Sequence, residues 1–184
     1  MKFVPTKFPG CFEIFSPIHG DDRGTLVKTF HEASFVKAGL GLAFKEQYYS
    51  ISKKNVVRGL HFQIPPHDHG KLIYCIMGEV FDVALDIRVG SPTFGKYFST
   101  ILSSQKGNML YLPEGFAHGF CTPSGDATLV YNVTTCYNSD SDTGIGWDTA
   151  GISWPVKKPR LSNRDLTFLP LKDFTSPFLF KDVN

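Results

Sequence analysis

The densest group of side chains that could do acid–base chemistry lies at residues 58–71, in an otherwise apolar stretch. It contains Arg58, His61 and Lys71, and a second motif further along the chain ends in His118. An imidazole has an unperturbed pKa of about 6.5 and can accept a proton near neutral pH. His61 is therefore the candidate base, with a hydrogen-bonded histidine of the core as the alternative.

The same histidines form a poor ligand set for a metal. The Pro-x-Gly-x-x-His motif that ends in His118 resembles the second cupin motif, but the first would need His-x-His and a later carboxylate, and this chain has His61-x-Gln63. A stable divalent site usually needs three or more protein ligands. His67 and His69 follow two prolines in an expected loop, where solvated histidines are common. We expect neither a metal nor another cofactor.

Tyr131 and Lys71 favour a catalytic role for His61. All three are predicted on strands of one barrel, and titratable groups converging in an apolar interior are costly unless they have a function. The alternatives are a Tyr131 hydroxyl bonded within the core and a Lys71 that reaches solvent. Strict alternation would place Arg58 and His61 on opposite faces, and a bulge at Gly59 would bring both inward.

These residues must be positioned by one domain, residues 1–184. The chain has 184 residues, 42% of them hydrophobic, which is enough for a single core. A net charge of +2 provides no broad field for nucleic acid or a membrane surface, and neither partner is expected. The N-terminal segment lacks the apolar core of a signal peptide, which favours a cytoplasmic location. The cysteines show no C-x-x-C pair and are expected to be buried, reduced thiols: Cys11, Cys75, Cys121 and Cys136.

The elements that carry the site are predicted to be β-strands. From Gln47 to Tyr137, short β-branched and aromatic runs are separated by Gly, Pro, Asn and Ser clusters. Along Val80–Arg88, Phe81, Val83, Leu85 and Ile87 share one face, and Leu129, Tyr131 and Val133 do so later. Closing such strands into a barrel removes exposed edges. We predict an all-β cupin jelly roll, a double-stranded β-helix with short peripheral helices.

Two short helices are predicted outside this region. Thr29 and Glu32 stand at capping-box spacing ahead of an apolar face at Phe35 and Val36, and Gly39 is placed to end that helix. A second signal lies at Ser162–Leu166, within an irregular tail that is expected to cover one end of the barrel.

A series of short motifs runs in order along nearly the whole chain. They are Asp22-Arg23-Gly24, Val57-Arg58-Gly59-Leu60-His61-Phe62-Gln63, Pro65-Pro66, Gly70-Lys71-Leu72, Asp82-Val83-Ala84-Leu85-Asp86-Ile87-Arg88, Ser91-Pro92-Thr93-Phe94-Gly95-Lys96, Pro113-Glu114-Gly115-Phe116-Ala117-His118-Gly119-Phe120 and Leu161-Ser162-Asn163-Arg164-Asp165. Together they resemble the dTDP-4-dehydrorhamnose 3,5-epimerase family, and so many spaced motifs form a stronger signal than any single one.

The resemblance implies a metal-free cupin enzyme, expected to be a homodimer, that epimerises nucleotide-diphosphate-linked 4-keto-6-deoxy sugars. By position, His61 matches the family's base, Asp165 the acidic residue that holds it, Lys71 the lysine facing the keto oxygen and Tyr131 the acid on the opposite face of the sugar. A proton beside a ketone is removable only if the enolate is stabilised, which an ammonium does well in a water-poor pocket. Asp165 also stands at Ser-x-x-Asp spacing, so a helix N-cap is its alternative role.

The resemblance also assigns contacts with the substrate. Arg23, Gln47, Arg58, His118 and Tyr137 match family positions that hold the pyrophosphate, sugar and nucleoside. An arginine suits a phosphate because its planar fork makes paired hydrogen bonds.

The chain departs from the family pattern in regions that handle the ligand. Leu26 and Lys28 stand where Phe and Glu are common beside the base, Tyr49 replaces a frequent Asn, and Asp142 replaces a frequent Glu. Losing a stacking ring and exchanging an acceptor for a donor favours CDP or relaxed specificity over strict use of dTDP. The alternative is that Leu26 and Lys28 only line a solvent-exposed rim.

The sequence thus predicts an epimerase acting at C5, C3 or both, in deoxysugar biosynthesis for a surface polysaccharide or a secondary metabolite. The dTDP-rhamnose enzyme is the default, and a CDP-linked 5-epimerase of the ascarylose type is the close alternative. Two other classes are a non-catalytic cupin that binds a sugar nucleotide and a metal-dependent cupin oxygenase. Solvent deuterium incorporation and metal content, respectively, distinguish them from the epimerase.

Overall fold

Antiparallel strands dominate the computed structural model, which describes residues 1–41 and 43–181. In chain order the strands are β1 (Lys2–Pro5), β2 (Phe12–Phe15), β3 (Ile18–Asp21), β4 (Gly24–Val27), β5 (Glu46–Ser52), β6 (Val57–Gln63), β7 (Lys71–Met77), β8 (Glu79–Asp86), β9 (Tyr97–Ser103), β10 (Asn108–Leu112), β11 (Phe116–Cys121), β12 (Ala127–Val133) and β13 (Asp142–Gly144). Helix α1 spans Glu32–Lys37, and a 3-10 turn spans Leu171–Asp173. None of these helices is long and apolar enough to cross a membrane.

Two antiparallel sheets face each other across the main core. One has the order β1-β2-β10-β7-β12-β5 and the other β13-β6-β11-β8-β9, while β3 and β4 form a separate hairpin. The core between them draws Ile73 and Leu129 from the first sheet and Val80, Ala84 and Phe120 from the second. The predicted all-β jelly roll is confirmed.

Strand β8 confirms the predicted alternation and is buried on both faces. Val83 and Leu85 pack in a cluster on the outer face of its sheet, whereas Val80 and Ala84 face the main core. Asp82 shares the inward face and is fully buried. The strand therefore carries a carboxylate into the interior of the barrel.

Part of the tail after β13 covers a sheet face, and its predicted position over one end of the barrel stays a prediction. Ile145, Ile152 and Phe178 pack on the outer apolar cluster of the five-stranded sheet. The helix predicted at Ser162–Leu166 is a turn, because one isolated cap hydrogen bond cannot offset the cost of helix nucleation. That bond does form: the Asp165 N–H donates to Ser162 Oγ over 3.1 Å.

Helix α1 covers part of the outer face of the six-stranded sheet, where Phe35 is buried. Its N-cap is His31 and not Thr29, since the backbone of His31 is extended (φ −148°) and the helix begins at the next residue. Val36 is 59% exposed, so the predicted apolar face is confined to Phe35. Gly39 follows the helix end as predicted, in a left-handed conformation (φ +79°).

The cysteines are free thiols, and Cys11, Cys75 and Cys121 are buried as predicted. Cys136 is exposed, which corrects the expectation for that residue. It lies three residues past the end of β12, where the chain has left the packed sheet.

The predicted bulge in β6 is present. His61 pairs with His118 of β11 and Arg58 with Phe120, so β6 carries one residue more than β11 between these pairs. Gly59 occupies the irregularity with φ +139°, and a Cβ there would lie 2.6 Å from the Cα of Gly119. This change of register between β6 and β11 lets Arg58 and His61 border one cavity.

We expect Gly59→Ala to lower the free energy of unfolding by about 3 kcal/mol, because backbone strain and an overpacked contact each cost about 1–3 kcal/mol. Gly90→Ala is the matched control: its φ is also positive (+87°), but nothing lies within 4 Å of the added Cβ. That variant should lose only about 1 kcal/mol. Urea unfolding compares the two, and equal losses would show that the approach to Gly119 is not limiting.

Candidate active site

Two adjoining cavities open between the sheets, and Tyr48, His61 and Lys71 border both. We call them the inner and the outer cavity. The inner cavity is lined by Tyr48, Ser50, Arg58, His61, Lys71, His118, Phe120 and Tyr131. The outer cavity adds Glu46, Phe62, Gln63, His69, Val133, Tyr137, Asp142 and Arg164.

His61 and Asp165 form a hydrogen-bonded pair at the wall of the site. The His61 Nε2 lies 2.7 Å from Asp165 Oδ1, and the carboxylate side chain is only 3% exposed. Burial alone would raise the pKa of Asp165, but the hydrogen bond and charge of His61 hold it below its usual value. Asp165 thus orients the ring and leaves Nδ1 as the nitrogen that can take up a proton.

Lys71 brings a buried cation to the site. It begins β7, is 6% exposed, and donates from Nζ to the backbone oxygen of His61 over 3.2 Å. Burial lowers the pKa of its ammonium to about 8, against the opposing charges of Asp142 and Asp82. The group is charged at neutral pH and, within the described residues, has no carboxylate at ion-pair distance to neutralise it.

Tyr131 brings a phenol to the inner cavity. It is 6% exposed, and its hydroxyl lies 3.1 Å from the Ser50 hydroxyl. Burial raises its pKa strongly, against the Ser50 hydrogen bond. The phenol therefore stays protonated at neutral pH and is suited to act as an acid.

His118 and Asp82 form a second imidazole–carboxylate pair beside the first. Their Nε2 and Oδ2 atoms are 2.9 Å apart, and both side chains are buried. Burial raises the pKa of Asp82, opposed by the charges of His118 and Lys71. His118 is the cross-strand partner of His61, so the two imidazoles are neighbours in the sheet.

Arg58 and Tyr137 lie where substrate contacts are predicted. Arg58 borders the inner cavity, and its Nε donates to Ser52 Oγ over 3.0 Å. Tyr137 borders the outer cavity and is 62% exposed. Its backbone N–H donates to the Glu46 carboxylate over 2.6 Å.

Gln47 and Tyr49 do not line either cavity of the chain that carries them, and their assignment as substrate contacts stays a prediction. Gln47 is opposite Asn132 in the sheet, and its amide donates to the Asn132 side chain over 2.6 Å. Tyr49 shares that outer side and is 67% exposed. The residues of β5 that face inward are Glu46, Tyr48 and Ser50.

Arg23, Leu26 and Lys28 also lie outside both cavities of the chain that carries them. Arg23 is in the tight turn between β3 and β4, its side chain is 86% exposed, and it pairs with Asp21 over 2.6 Å. Leu26 is 63% exposed on β4, and Lys28 is exposed just after it. The local match of sequence motifs carried no information on the distance from this hairpin to the barrel.

Other residues at the site were missed by the sequence reasoning. Arg164 directly precedes Asp165 in a motif used for the resemblance, and it pairs with Asp142 over 2.6 Å at the outer cavity. His69 lies in a loop as predicted but borders the outer cavity instead of being fully solvated. Burial and the charge of Lys71 lower the pKa of His69 to about 3. The alternation that placed Tyr131 inward could have found Ser50 had the pairing of β5 with β12 been known.

The residues at the site do not form a metal-ligand set. Across residues 1–41 and 43–181, no three His, Cys, Asp or Glu side chains converge in a way that could hold a metal ion. The Gln63 amide is used locally: it donates to the backbone oxygen of His67 over 2.6 Å and accepts from the Asn138 N–H over 2.7 Å.

The arrangement combines three functions that proton transfer beside a carbonyl requires. His61 can serve as an oriented base, Lys71 is a buried cation that can stabilise an enolate oxygen, and Tyr131 can serve as an acid. All three border the inner cavity.

Comparison with known proteins identifies close relatives over most of the chain. A family model described as dTDP-4-dehydrorhamnose 3,5-epimerase matches residues 5–173. The Shigella flexneri dTDP-4-dehydrorhamnose 3,5-epimerase is 43% identical over 170 residues, which cover 90% of this chain and 93% of that protein. The Streptomyces niveus dTDP-4-dehydrorhamnose 3-epimerase is 36% identical over 94% of this chain and 85% of its own length. The Legionella pneumophila dTDP-6-deoxy-D-glucose-3,5-epimerase, solved in complex with dTDP-4-keto-L-rhamnose, superposes with a TM-score of 0.93 at 33% identity, covering 98% and 99% of the two chains.

We expect the Lys71 ammonium to lose its proton at about pH 8, because burial disfavours the charged form. In protein labelled with 13C at the lysine side chains, the NMR signal that disappears in Lys71→Met should titrate with that midpoint. A midpoint at the ordinary value of 10.5 would show that the ammonium is not desolvated.

Proposed function

The chain belongs to the dTDP-4-dehydrorhamnose 3,5-epimerase family, and we propose that its own substrate is a dTDP-linked 4-keto-6-deoxyhexose, inverted at C5, C3 or both. The enzyme is an isomerase of the carbohydrate epimerase class. Support for dTDP comes from the names of the relatives and from the dTDP-4-keto-L-rhamnose bound by the Legionella enzyme. These relatives give no support to the CDP-linked ascarylose alternative.

The observation that carries the mechanism is the convergence of a base, a cation and an acid on one cavity. In the first half of the reaction, His61 removes the proton from the carbon beside the ketone. Asp165 holds the imidazole by its Nε2 and stabilises the imidazolium that forms. Lys71 donates to the oxygen as the ketone becomes an enolate, and burial strengthens that interaction.

In the second half, Tyr131 returns a proton to the same carbon from the opposite face. Its O–H bond breaks as the new C–H bond forms, and the enolate returns to the ketone. The proton held by His61 is released to solvent, and Tyr131 regains one from solvent. Arg58 and His118, at the same cavity, hold the anionic and polar parts of the substrate.

We propose that the enzyme is a homodimer in which the β3–β4 hairpin completes the site of the second copy. Arg23 lies outside both cavities of its own chain and is almost fully exposed, so within a single chain it does not border the cavity that would hold the substrate. The outer side of β5 and β7 also presents exposed apolar side chains at Tyr49, Ile51 and Ile76. Monomers rarely leave large contiguous apolar patches uncovered.

Turnover in deuterated water tests the function directly. We expect wild-type enzyme to place deuterium at C5, C3 or both of dTDP-4-dehydro-6-deoxyglucose and to form the inverted ketosugar. His61→Asn should reduce both by about 10²–10⁴-fold, the usual contribution of a general base. His67→Asn is the control, because His67 borders neither cavity.

The same assay, read by NMR, separates the other function classes. A sugar nucleotide that binds without deuterium uptake would indicate a non-catalytic cupin. Loss of turnover on chelation with EDTA, restored by added metal, would contradict the metal-free mechanism. Near-normal exchange in His61→Asn would assign proton removal to another residue.

Tyr131→Phe should separate exchange from inversion. The ring and its packing are kept while the proton donor is removed, so His61 still takes a proton and returns it to the same face. We expect deuterium exchange to continue while the inverted product falls by about 10²-fold or more. Equal loss of exchange and inversion in folded protein would mean that Tyr131 serves substrate binding instead.

Mixed dimers test the shared site. Arg23→Ala and His61→Asn should each be impaired alone, but dimers formed from both chains contain one site with both wild-type residues, and they should regain turnover. If Arg23 acts within its own chain, mixing the two variants restores no turnover. Sedimentation analysis provides the second check, since a monomeric active enzyme would contradict the dimer.

A further inference from the structure

Two alternate residues of β5 hold the Tyr131 side chain from different sides. Tyr48 is directly opposite Tyr131 in the sheet, and the two rings stack with centroids 4.8 Å apart and planes 17° apart. The Ser50 Oγ lies 3.1 Å from the Tyr131 hydroxyl. Ring plane and hydroxyl direction are therefore set by the same strand.

A buried proton donor needs such support. Once Tyr131 has given up its proton it is a phenolate in a poorly solvated place, because the side chain is only 6% exposed. A phenolate accepts hydrogen bonds, whereas a phenol both donates and accepts. The Ser50 hydroxyl can serve both forms, since it can donate to the phenolate oxygen and rotate when the phenol is restored.

We infer that Ser50 is a positioning residue for proton return: its hydroxyl orients the Tyr131 O–H toward the substrate and donates to the phenolate left after transfer. Tyr48 keeps the ring in place by stacking. The inference rests on the proposed function and deepens it, because it names the groups on which the second half of the inversion depends. The proton balance is unchanged: Tyr131 loses its proton to carbon and regains one from solvent.

The location of Ser50 supports this role over simple packing. Ser50 is half-buried and borders the inner cavity, so it connects the buried Tyr131 hydroxyl with the space that substrate and water enter. The cationic Arg58 borders the same cavity and also favours the phenolate. A serine needed only for packing would not require its hydroxyl at hydrogen-bond distance from the phenol.

The test compares Ser50→Ala with Ser50→Thr, which keeps a hydroxyl. In deuterated water, Ser50→Ala should lower the rate of inversion about tenfold, because losing one hydrogen bond costs about 1.4 kcal/mol. The rate of deuterium exchange at the His61 face should stay within about twofold of wild type. Ser50→Thr should restore inversion. Ser99→Ala on β9, which borders neither cavity, controls for handling and folding.

A double-mutant comparison tests whether Ser50 acts through the Tyr131 hydroxyl. If Ser50 acts through the Tyr131 hydroxyl, Ser50→Ala should cause no further loss of inversion in the Tyr131→Phe background. Tyr48→Leu, which removes the stacked ring, should show the same split between exchange and inversion, and it provides a test if Ser50→Ala does not fold.

Several outcomes would overturn the inference. Equal loss of exchange and inversion in Ser50→Ala would assign Ser50 to substrate binding, and so would a loss that persists in the Tyr131→Phe background. Wild-type inversion in folded Ser50→Ala would also exclude it. Failure of the proposed function is distinct, because wild-type enzyme would then give neither exchange nor inversion.

Discussion

The site depends on the contact between the backbones of β6 and β11 at Gly59 and Gly119. One extra residue of β6 is accommodated there, and a Cβ on Gly119 would lie 2.8 Å from the Leu60 side chain and 2.9 Å from the Arg58 oxygen. Because neither glycine carries a side chain, the strands stay paired through the irregularity. His61 and Arg58 then border the same cavity, where regular alternation would have separated them.

Three carboxylates near this contact have an ion-pair partner, whereas the ammonium of Lys71 has none within the described residues. Asp165 pairs with His61, Asp82 with His118, and Asp142 with Arg164. Lys71 is buried and donates to a neutral backbone oxygen. Burying an ammonium without an ion-pair partner is costly, and this burial lowers the pKa of Lys71 to about 8 against the opposing charges of Asp142 and Asp82. An oxygen that gains negative charge beside Lys71 relieves this cost, and the relief is greatest when the charge is fully developed. In the proposed mechanism, Lys71 thus favours the enolate over the ketone.

The sequence predicted those features whose signals are local. The period-two pattern of β8 and the glycine in β6 are visible in single segments, and the structure confirmed both. Strand β5 carries polar and aromatic residues on both faces, so its pattern did not show which face is inward, and Gln47 was named from its match to a family position. The side of β5 that faces the site is decided by pairing with β12. Asp165 gave a local capping signal that is real, but its carboxylate is used by a histidine 104 residues away. Motif matching alone assigned it that partner.

The two sides of the site differ in their access to water. The His61 side chain is 29% exposed and borders both cavities, whereas Tyr131 is 6% exposed. In the proposed mechanism, a proton taken by His61 can therefore exchange with solvent before it returns to carbon, while a proton given by Tyr131 is replaced through a less accessible route. On that mechanism, inversion depends on the less exposed Tyr131 side of the site. The proposed mechanism thus assigns the stereochemistry to the paired strands β5 and β12, which carry Tyr131 and its contacts, and the base to β6 and the tail.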